Sequence, residues 1–288
     1  MSPTINGGIT YAGRTLFFVK FDRIMTSPII ETSSTQIKTK DQNSFDRLTK
    51  LLLLFSRDDV PSWSVGEAAH ELGLSSSHTY RYFRSLSAAG FIAQISTGKY
   101  VLGPAIVQLD RKMRQSDPLI LNSITALKYL ISHSPVKSVA IICRYFHGQV
   151  MCIHEEFEKK EEYEVSYERG MLRPLYQGAA SKSILAHLPL RSVKAQFEKD
   201  AQHFADFGLG GSWDEVKLIL RKLRAAETVY TCGELGRGAA GISSPVFDGD
   251  KVVGSISIVI PEQSASETLV ATISPIVALS AKMISDRF

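Results

Sequence analysis

"LGLSSSHTYRYFRSLSAAGF", Leu72 to Phe91, decides the fold. Its serine run is the kind of polar start a helix favours, and Gly90 is the kind of residue that ends one. With Thr79 as reference on a 3.6-residue wheel, Tyr82, Phe83 and Leu86 fall on its side. Ser77, Arg81, Arg84 and Ala88 fall opposite, and Tyr80 lies on the flank. One face packs, and the other presents hydrogen-bond donors.

Working outward, Phe45, Leu48, Leu51, Leu52 and Phe55 recur at helical spacing, and "DDVPSW" breaks that helix. "SVGE" at Ser64–Glu67 reads as a capping box opening a second helix that runs to about Leu72, where Gly73 stops it. After the third helix, "FIAQISTGKYVLG" holds two short apolar runs joined by Ser96, Thr97 and Gly98, a β-hairpin pattern. Three helices and a hairpin in this order predict a winged helix-turn-helix over 45–103. Residues 1–44 lack periodicity and read as a flexible N-terminal arm. "LGPAIVQLDRKMRQSD" predicts a linker helix over 104–118, with Leu102, Ile106, Leu109 and Met113 along one side.

The outward face of the third helix suits a DNA groove. Serine hydroxyls and arginine guanidiniums bond phosphates and base edges, and arginine can grip guanine twice. Ser75 and Ser76 start the helix, where backbone amides meet a phosphate. Ser77, Tyr80, Arg81 and Arg84 form the reading face, and Lys99 in the hairpin reaches the adjacent backbone. Capping serines and solvated arginines are the commoner meaning of such a face. The two preceding helices and the hairpin directly after turn the balance toward double-stranded DNA.

Composition sets limits on the rest. The 288 residues suffice for two domains, 44% are hydrophobic, and 33 Lys and Arg against 29 Asp and Glu leave a net charge of +4, compatible with nucleic acid without requiring it. Cys143, Cys152 and Cys232 have no CxxC spacing, so neither a disulfide framework nor a zinc site is expected. No metal or other cofactor is expected. No run of about 18 apolar residues marks a membrane span, and no signal peptide is evident, so a cytoplasmic protein without membrane association is expected.

Residues 119–288 alternate helical and strand patterns. Helices are expected at 119–132, 179–186 and 212–226 and from Glu267, and strands at 136–143, 149–154, 163–167, 229–232, 242–247 and 252–260. The overall class is α+β, with a second domain built as an antiparallel sheet flanked by helices. "QGAASKS" puts small residues at a helix start, where amides can approach an anionic group. "GAAGISSPVF" and "GSISIV" alternate small or hydroxyl side chains with apolar ones, a pattern that lines a compact pocket.

The stretch from Phe45 to Leu109 resembles the DNA-binding domain of the IclR family of bacterial transcription regulators, through "LGL", the Ser77-x-Thr79-x-Arg81 helix, "AAGF" and "GKYVLG". Serine stands at position 75, where the family often has proline. "RGMLRPLYQGAASKSILAHLP" and "CGELGRGAAGISSPVFDGDKVVGSISIVIP" resemble that family's effector domain, so a GAF-like fold is implied for 119–288. The resemblance implies a ligand-responsive regulator that binds an operator as a homodimer or homotetramer. It also implies a small-molecule effector, an organic acid with aromatic acids among the candidates. Carried over residue by residue, the effector site falls on Ala179, Ala180 and Ser181 at the helix start, with Thr231, Gly241, Ser257, Val259 and Arg173. An acidic residue that some members carry near Thr231 is missing. Two other readings stand beside this one: a constitutive nucleic-acid-binding protein, and a GAF-like thiol oxidoreductase using Cys143 or Cys152. Neither cysteine has an activating His or Lys in a motif, and no Walker loop or nucleophile elbow is present, so no catalytic residue is assigned and no enzyme is expected.

Overall fold

The structure, a computed structural model, describes residues 9–11, 14–16, 44–157, 169–236 and 238–288. Within the expected flexible arm, β1 (Ile9–Tyr11) and β2 (Arg14–Leu16) pair antiparallel, Ile9 opposite Leu16. The rest of the arm to residue 43 lies outside the described residues, as does the strand expected at 163–167. Ser44 belongs not to the arm but to the first helix, and the chain divides into two compact units at the Ser116/Asp117 junction.

The first unit runs α1 (Ser44–Leu54), α2 (Val65–Leu72), α3 (Ser76–Ala88), β3 (Ile92–Ser96), β4 (Lys99–Leu102) and α4 (Pro104–Ser116). The capping box is complete: Ser64 Oγ accepts from the Glu67 amide, and Glu67 accepts from the Ser64 amide at 2.7 Å. Gly73 closes α2 in the left-handed region at φ 62°, a conformation that favours glycine. Leu51, Leu54, Trp63, Ala68, Phe83, Leu86 and Ile92 form the core. Phe83, fully buried, meets Tyr100 edge-on at 4.9 Å, and burying a side chain of this size stabilises by about 1.5–3 kcal/mol. Trp63 exchanges backbone hydrogen bonds with Tyr100 and donates its indole N–H to Leu54 O, so "DDVPSW" adds a rung to the hairpin beside the breaker role its sequence predicts. Phe45, expected on the apolar face of α1, is instead 75% exposed in the first turn. Along α4 no residue is buried, and Val107, Leu109 and Met113 stand exposed.

Lys99 Nζ contacts both carboxylate oxygens of Glu67, at 2.6 and 2.8 Å, tying the hairpin to α2. That bond, with those from Ser64, lowers the Glu67 pKa from 4.5 to about 2. A carboxyl with a depressed folded pKa contributes stability that is present above the unfolded value and lost as pH falls through the folded one. The stability difference between the wild type and Glu67→Gln should therefore be full above pH 4.5 and shrink toward pH 2. Thermal midpoints across that range check it, and a pH-independent difference would contradict it.

The second unit is a six-stranded, fully antiparallel sheet ordered β7-β6-β5-β10-β9-β8, from β5 (Val139–Phe146), β6 (Gln149–Phe157), β7 (Leu172–Pro174), β8 (Val229–Cys232), β9 (Ala239–Asp248) and β10 (Lys251–Pro261). Val139, Ile141 and Cys143 of β5 join one core with α6 (Ala179–His187), α7 (Leu190–Asp206) and α8 (Trp213–Ala225). The alternate residues Ala140 and Ile142 join another core with α5 (Pro118–Ser132) and α9 (Glu267–Ser285). Both sheet faces are covered, which is why "VAIIC" reads as an unbroken apolar run rather than an alternating one. At Gly254 any side chain would collide with the Cys143 carbonyl, so close strand packing requires glycine there. Helix α9, with mean hydropathy 1.5, is long and apolar enough to cross a membrane by those measures alone, yet Val270, Ile273, Val277, Ala281 and Ile284 bury one side of it in the core. Asp117 caps α5, accepting from the Leu119 and Ile120 amides while Arg144 binds both its oxygens.

Candidate functional site

Two sites arise, one in each unit. On α3, Ser75 is the N-cap: its Oγ accepts from the His78 amide at 3.3 Å and lies 2.7 Å from His78 Nδ1. Thr79 turns fully inward and donates to Ser75 O, so Phe83 and Leu86 follow it into the core, with Tyr82 half-buried beside them. Ser76, Ser77, Arg81 and Arg84 are exposed, and Tyr80 is 59% exposed on the flank. The face has the division of labour the wheel predicts: Ser75 holds the helix start, while Ser77, Arg81 and Arg84 share the outer surface. Lys99 differs from its neighbours because Glu67 already holds its charge, so a phosphate would compete with that carboxylate.

In the second unit, the start of α6 and strands β5, β10, β9 and β8 enclose a cleft of about 380 Å³ of empty space, its mouth included. Ala179, Ala180, Thr231, Gly241, Ser257 and Val259 all line it, so the structure brings together six of the eight expected residues. Arg173 is not among them: it stands on β7, the edge strand, paired with Val150 of β6. Ser181 is fully buried in α6 and does not reach the lining. At Gly241 a Cβ would sit 3.4 Å from the Ala179 Cβ and 3.9 Å from Thr231 Oγ1, so the missing side chain leaves room between α6 and β8. Ser257 Oγ donates to Ser243 Oγ at 2.8 Å, and Ser255 Oγ donates to Ala180 O, fastening α6 to β10.

Among the described residues Ile141, Glu234, Leu235, Ala239 and Ala240 also line it, and Glu234 changes its chemistry. No side chain of α6 caps its own start at Gly178. Glu234 supplies the anion instead: Oε2 accepts from the Gly178 amide at 2.8 Å, and Oε1 from Lys182 Nζ at 2.5 Å. Lys182 is fully buried and also donates to Phe207 O at 2.8 Å. Burial pulls the Lys182 pKa below its ordinary value, with the Glu234 charge opposing that shift. The Gly178 amide at the helix start is thus already met by a carboxylate, and the cleft contains an acid three residues beyond Thr231. The sequence carries a signal for this pair, a lysine inside the otherwise small and apolar "GAASKSILA" and the lone acid of "CGELG".

Cys143 and Cys152 lie opposite each other on β5 and β6, both buried. Burial, and Cys152 beside it, push the Cys143 thiol well above its ordinary pKa, which keeps it protonated, whereas a thiol nucleophile needs the thiolate. Among the described residues no three His, Cys, Asp or Glu side chains come together to hold a metal ion.

Comparison with known proteins matches residues 138–286 to the model "Bacterial transcriptional regulator IclR C-terminal" and residues 44–96 to the "IclR helix-turn-helix domain". The HTH-type transcriptional regulator KipR of Bacillus subtilis is 26% identical over 202 residues, covering 69% of this chain and 78% of KipR. Among solved structures, an IclR family transcriptional regulator from Brucella abortus superposes with a TM-score of 0.70 at 16% identity, covering 88% of this chain and 95% of that one. An IclR homolog from Microbacterium hydrocarbonoxydans, complexed with 4-hydroxybenzoate, gives 0.68 at 17% identity and covers 85% and 98%. At these identities the structural likeness speaks to fold.

Proposed function

The chain belongs to the IclR family of bacterial transcription regulators, and from that premise we propose that α3 reads its operator while a small molecule in the α6 cleft biases DNA binding. The observation that carries the first half is the outward face of α3: Ser77, Tyr80, Arg81 and Arg84 are exposed on a helix that Thr79, Phe83 and Leu86 anchor from behind. Ser75 and Ser76 bring the helix start, with its free amides, to a phosphate. Lys99 contributes only by exchanging Glu67 for DNA.

The cleft at Ala179, Ala180, Thr231, Gly241, Ser257 and Val259 is the effector site in this reading. Its effector is a small organic molecule, and an organic acid is the class favoured by the family resemblance and by the 4-hydroxybenzoate bound to the Microbacterium homolog. For such a molecule to signal, it must bind one arrangement of the regulator better than another, since equal affinity for both shifts no equilibrium. The uncovered apolar residues of α4 supply a surface for a second copy, giving a homodimer or a dimer of dimers whose two-fold symmetry matches paired operator half-sites. Acting on an operator, the protein works in the cytoplasm, as a regulator rather than an enzyme.

A thermal-shift screen of small organic acids with the wild type and Ala180→Trp tests the cleft. The indole should fill the space beside Gly241 and suppress the ligand-induced rise in midpoint, leaving DNA binding of the ligand-free protein within about twofold. A rise that persists in Ala180→Trp would put the effector elsewhere.

A further inference from the structure

The cations of the DNA-reading unit are not equally available. Among the described residues Arg81 and Arg84 of α3 form no ion pair. Lys99, at the start of β4, is held by Glu67 through both carboxylate oxygens, at 2.6 and 2.8 Å. Exposed pairs of long side chains are ordinarily weak, because holding both in one geometry costs entropy. Here both halves are placed in advance. Trp63 and Tyr100 exchange backbone hydrogen bonds at 3.0 and 2.9 Å, fixing the residue after Lys99 against the residue before the α2 cap. Glu67 stands in the first turn of α2, where the positive helix end favours a carboxylate, and the Ser64 amide donates to it at 2.7 Å. Its pKa of about 2 keeps it charged at any pH near neutrality.

A lysine that neutralises a phosphate releases a counterion, which strengthens binding to any duplex and steepens its dependence on salt. A lysine already neutralised by a carboxylate releases none. Moving Lys99 from Glu67 to a phosphate would also leave the Glu67 charge unpaired beside a polyanion. We propose that Glu67 governs the sequence-independent DNA affinity of this regulator: by holding Lys99 it withdraws one phosphate contact from the hairpin. The proposal rests on the hairpin lying against DNA beside α3. Phosphate contacts carry no sequence information, so operator and unrelated duplex weaken alike and discrimination stays with the outward face of α3. Glu67 thus joins two tasks, closing the capping box of α2 and keeping the hairpin from gripping every duplex it meets.

The test titrates the full chain onto a labelled duplex of arbitrary sequence from about 50 to 200 mM salt, the range over which phosphate contacts show themselves. Wild type, Glu67→Gln, Lys99→Met and the double variant are compared. Glu67→Gln keeps an oxygen for the Ser64 amide and should bind about three- to tenfold tighter, its salt slope steeper by about 0.9. Lys99→Met should remove about one unit of slope from the Glu67→Gln protein and less than about half a unit from the wild type. Equal slope losses in the two backgrounds would show that Lys99 meets phosphate despite Glu67, and overturn the proposal. Tightening by Glu67→Gln that is the same with and without Lys99 would overturn it too, since the carboxylate would then be repelling DNA directly. Should Glu67→Gln not fold, the slope lost by Lys99→Met in the wild type decides alone: a full unit overturns the proposal. If the wild type binds no duplex, the DNA reading falls and the proposal with it, whereas binding that Glu67→Gln leaves unaltered overturns the proposal and leaves the reading of α3 standing.

Discussion

Replacing Lys182 with methionine is expected to destabilise the second unit by about 3–5 kcal/mol, the usual cost of removing one partner from a buried ion pair. The wild type buries the lysine completely, and its ammonium bonds Glu234 and Phe207 O. Methionine fills nearly the same volume, so packing changes little. The loss comes from leaving the Glu234 charge, 8% exposed, without its counterion, and a backbone carbonyl without its donor. The double variant Lys182→Met/Glu234→Gln removes both charges and should recover most of the loss. Denaturant titrations of the three proteins check the pattern. A single-variant loss below about 1 kcal/mol would mean that the pair lies closer to water than the structure places it.

The second large effect concerns DNA. Arg81→Ala should weaken operator binding by roughly ten- to a hundredfold, since a bidentate arginine–guanine contact contributes about 1–3 kcal/mol of discrimination. Arg81 is exposed, on the face opposite buried Thr79 and Phe83, so stability should change by less than about 0.5 kcal/mol. Ligand-induced stabilisation of the second unit should persist. A base-reading role predicts a larger loss on operator than on unrelated duplex; an equal loss on both would make Arg81 a phosphate contact instead.

Much of this architecture is legible in the sequence because it depends on short-range patterning. The capping box at Ser64–Glu67, the inward Thr79, Phe83 and Leu86, and the hairpin turn at Thr97–Gly98 are each set by neighbours within a few residues. Helix α7 lies between two expected helices without being read as one, although Val193, Phe197 and Phe204 recur at helical spacing; its regularity breaks at Asp200, where φ is −130°. The edge strand β7 is three residues long, too short for alternation to register. At the cleft, the small residues of "QGAASKS" and "GAAGISS" mark the place, since a close approach between helix and sheet demands them. The pairing of Lys182 with Glu234 spans 52 residues of sequence and depends on how β8 and β9 turn toward α6, which no local pattern encodes. Arg173 illustrates the reverse: its neighbours in sequence lead into the cleft, while β-pairing carries it to the far edge of the sheet.

The central claim is that one chain couples a DNA-reading helix to a ligand cleft. Fluorescence anisotropy of a labelled duplex from the region upstream of the protein's own gene, at fixed salt, tests it most directly. Titrations are run without and with the strongest ligand from the thermal-shift screen. Saturable binding whose Kd moves by about 5- to 150-fold on adding ligand, a coupling of about 1–3 kcal/mol, is the predicted result, with Ala180→Trp abolishing the shift and Arg81→Ala weakening the binding by roughly ten- to a hundredfold. Binding that neither the ligand nor Arg81→Ala alters would contradict the account.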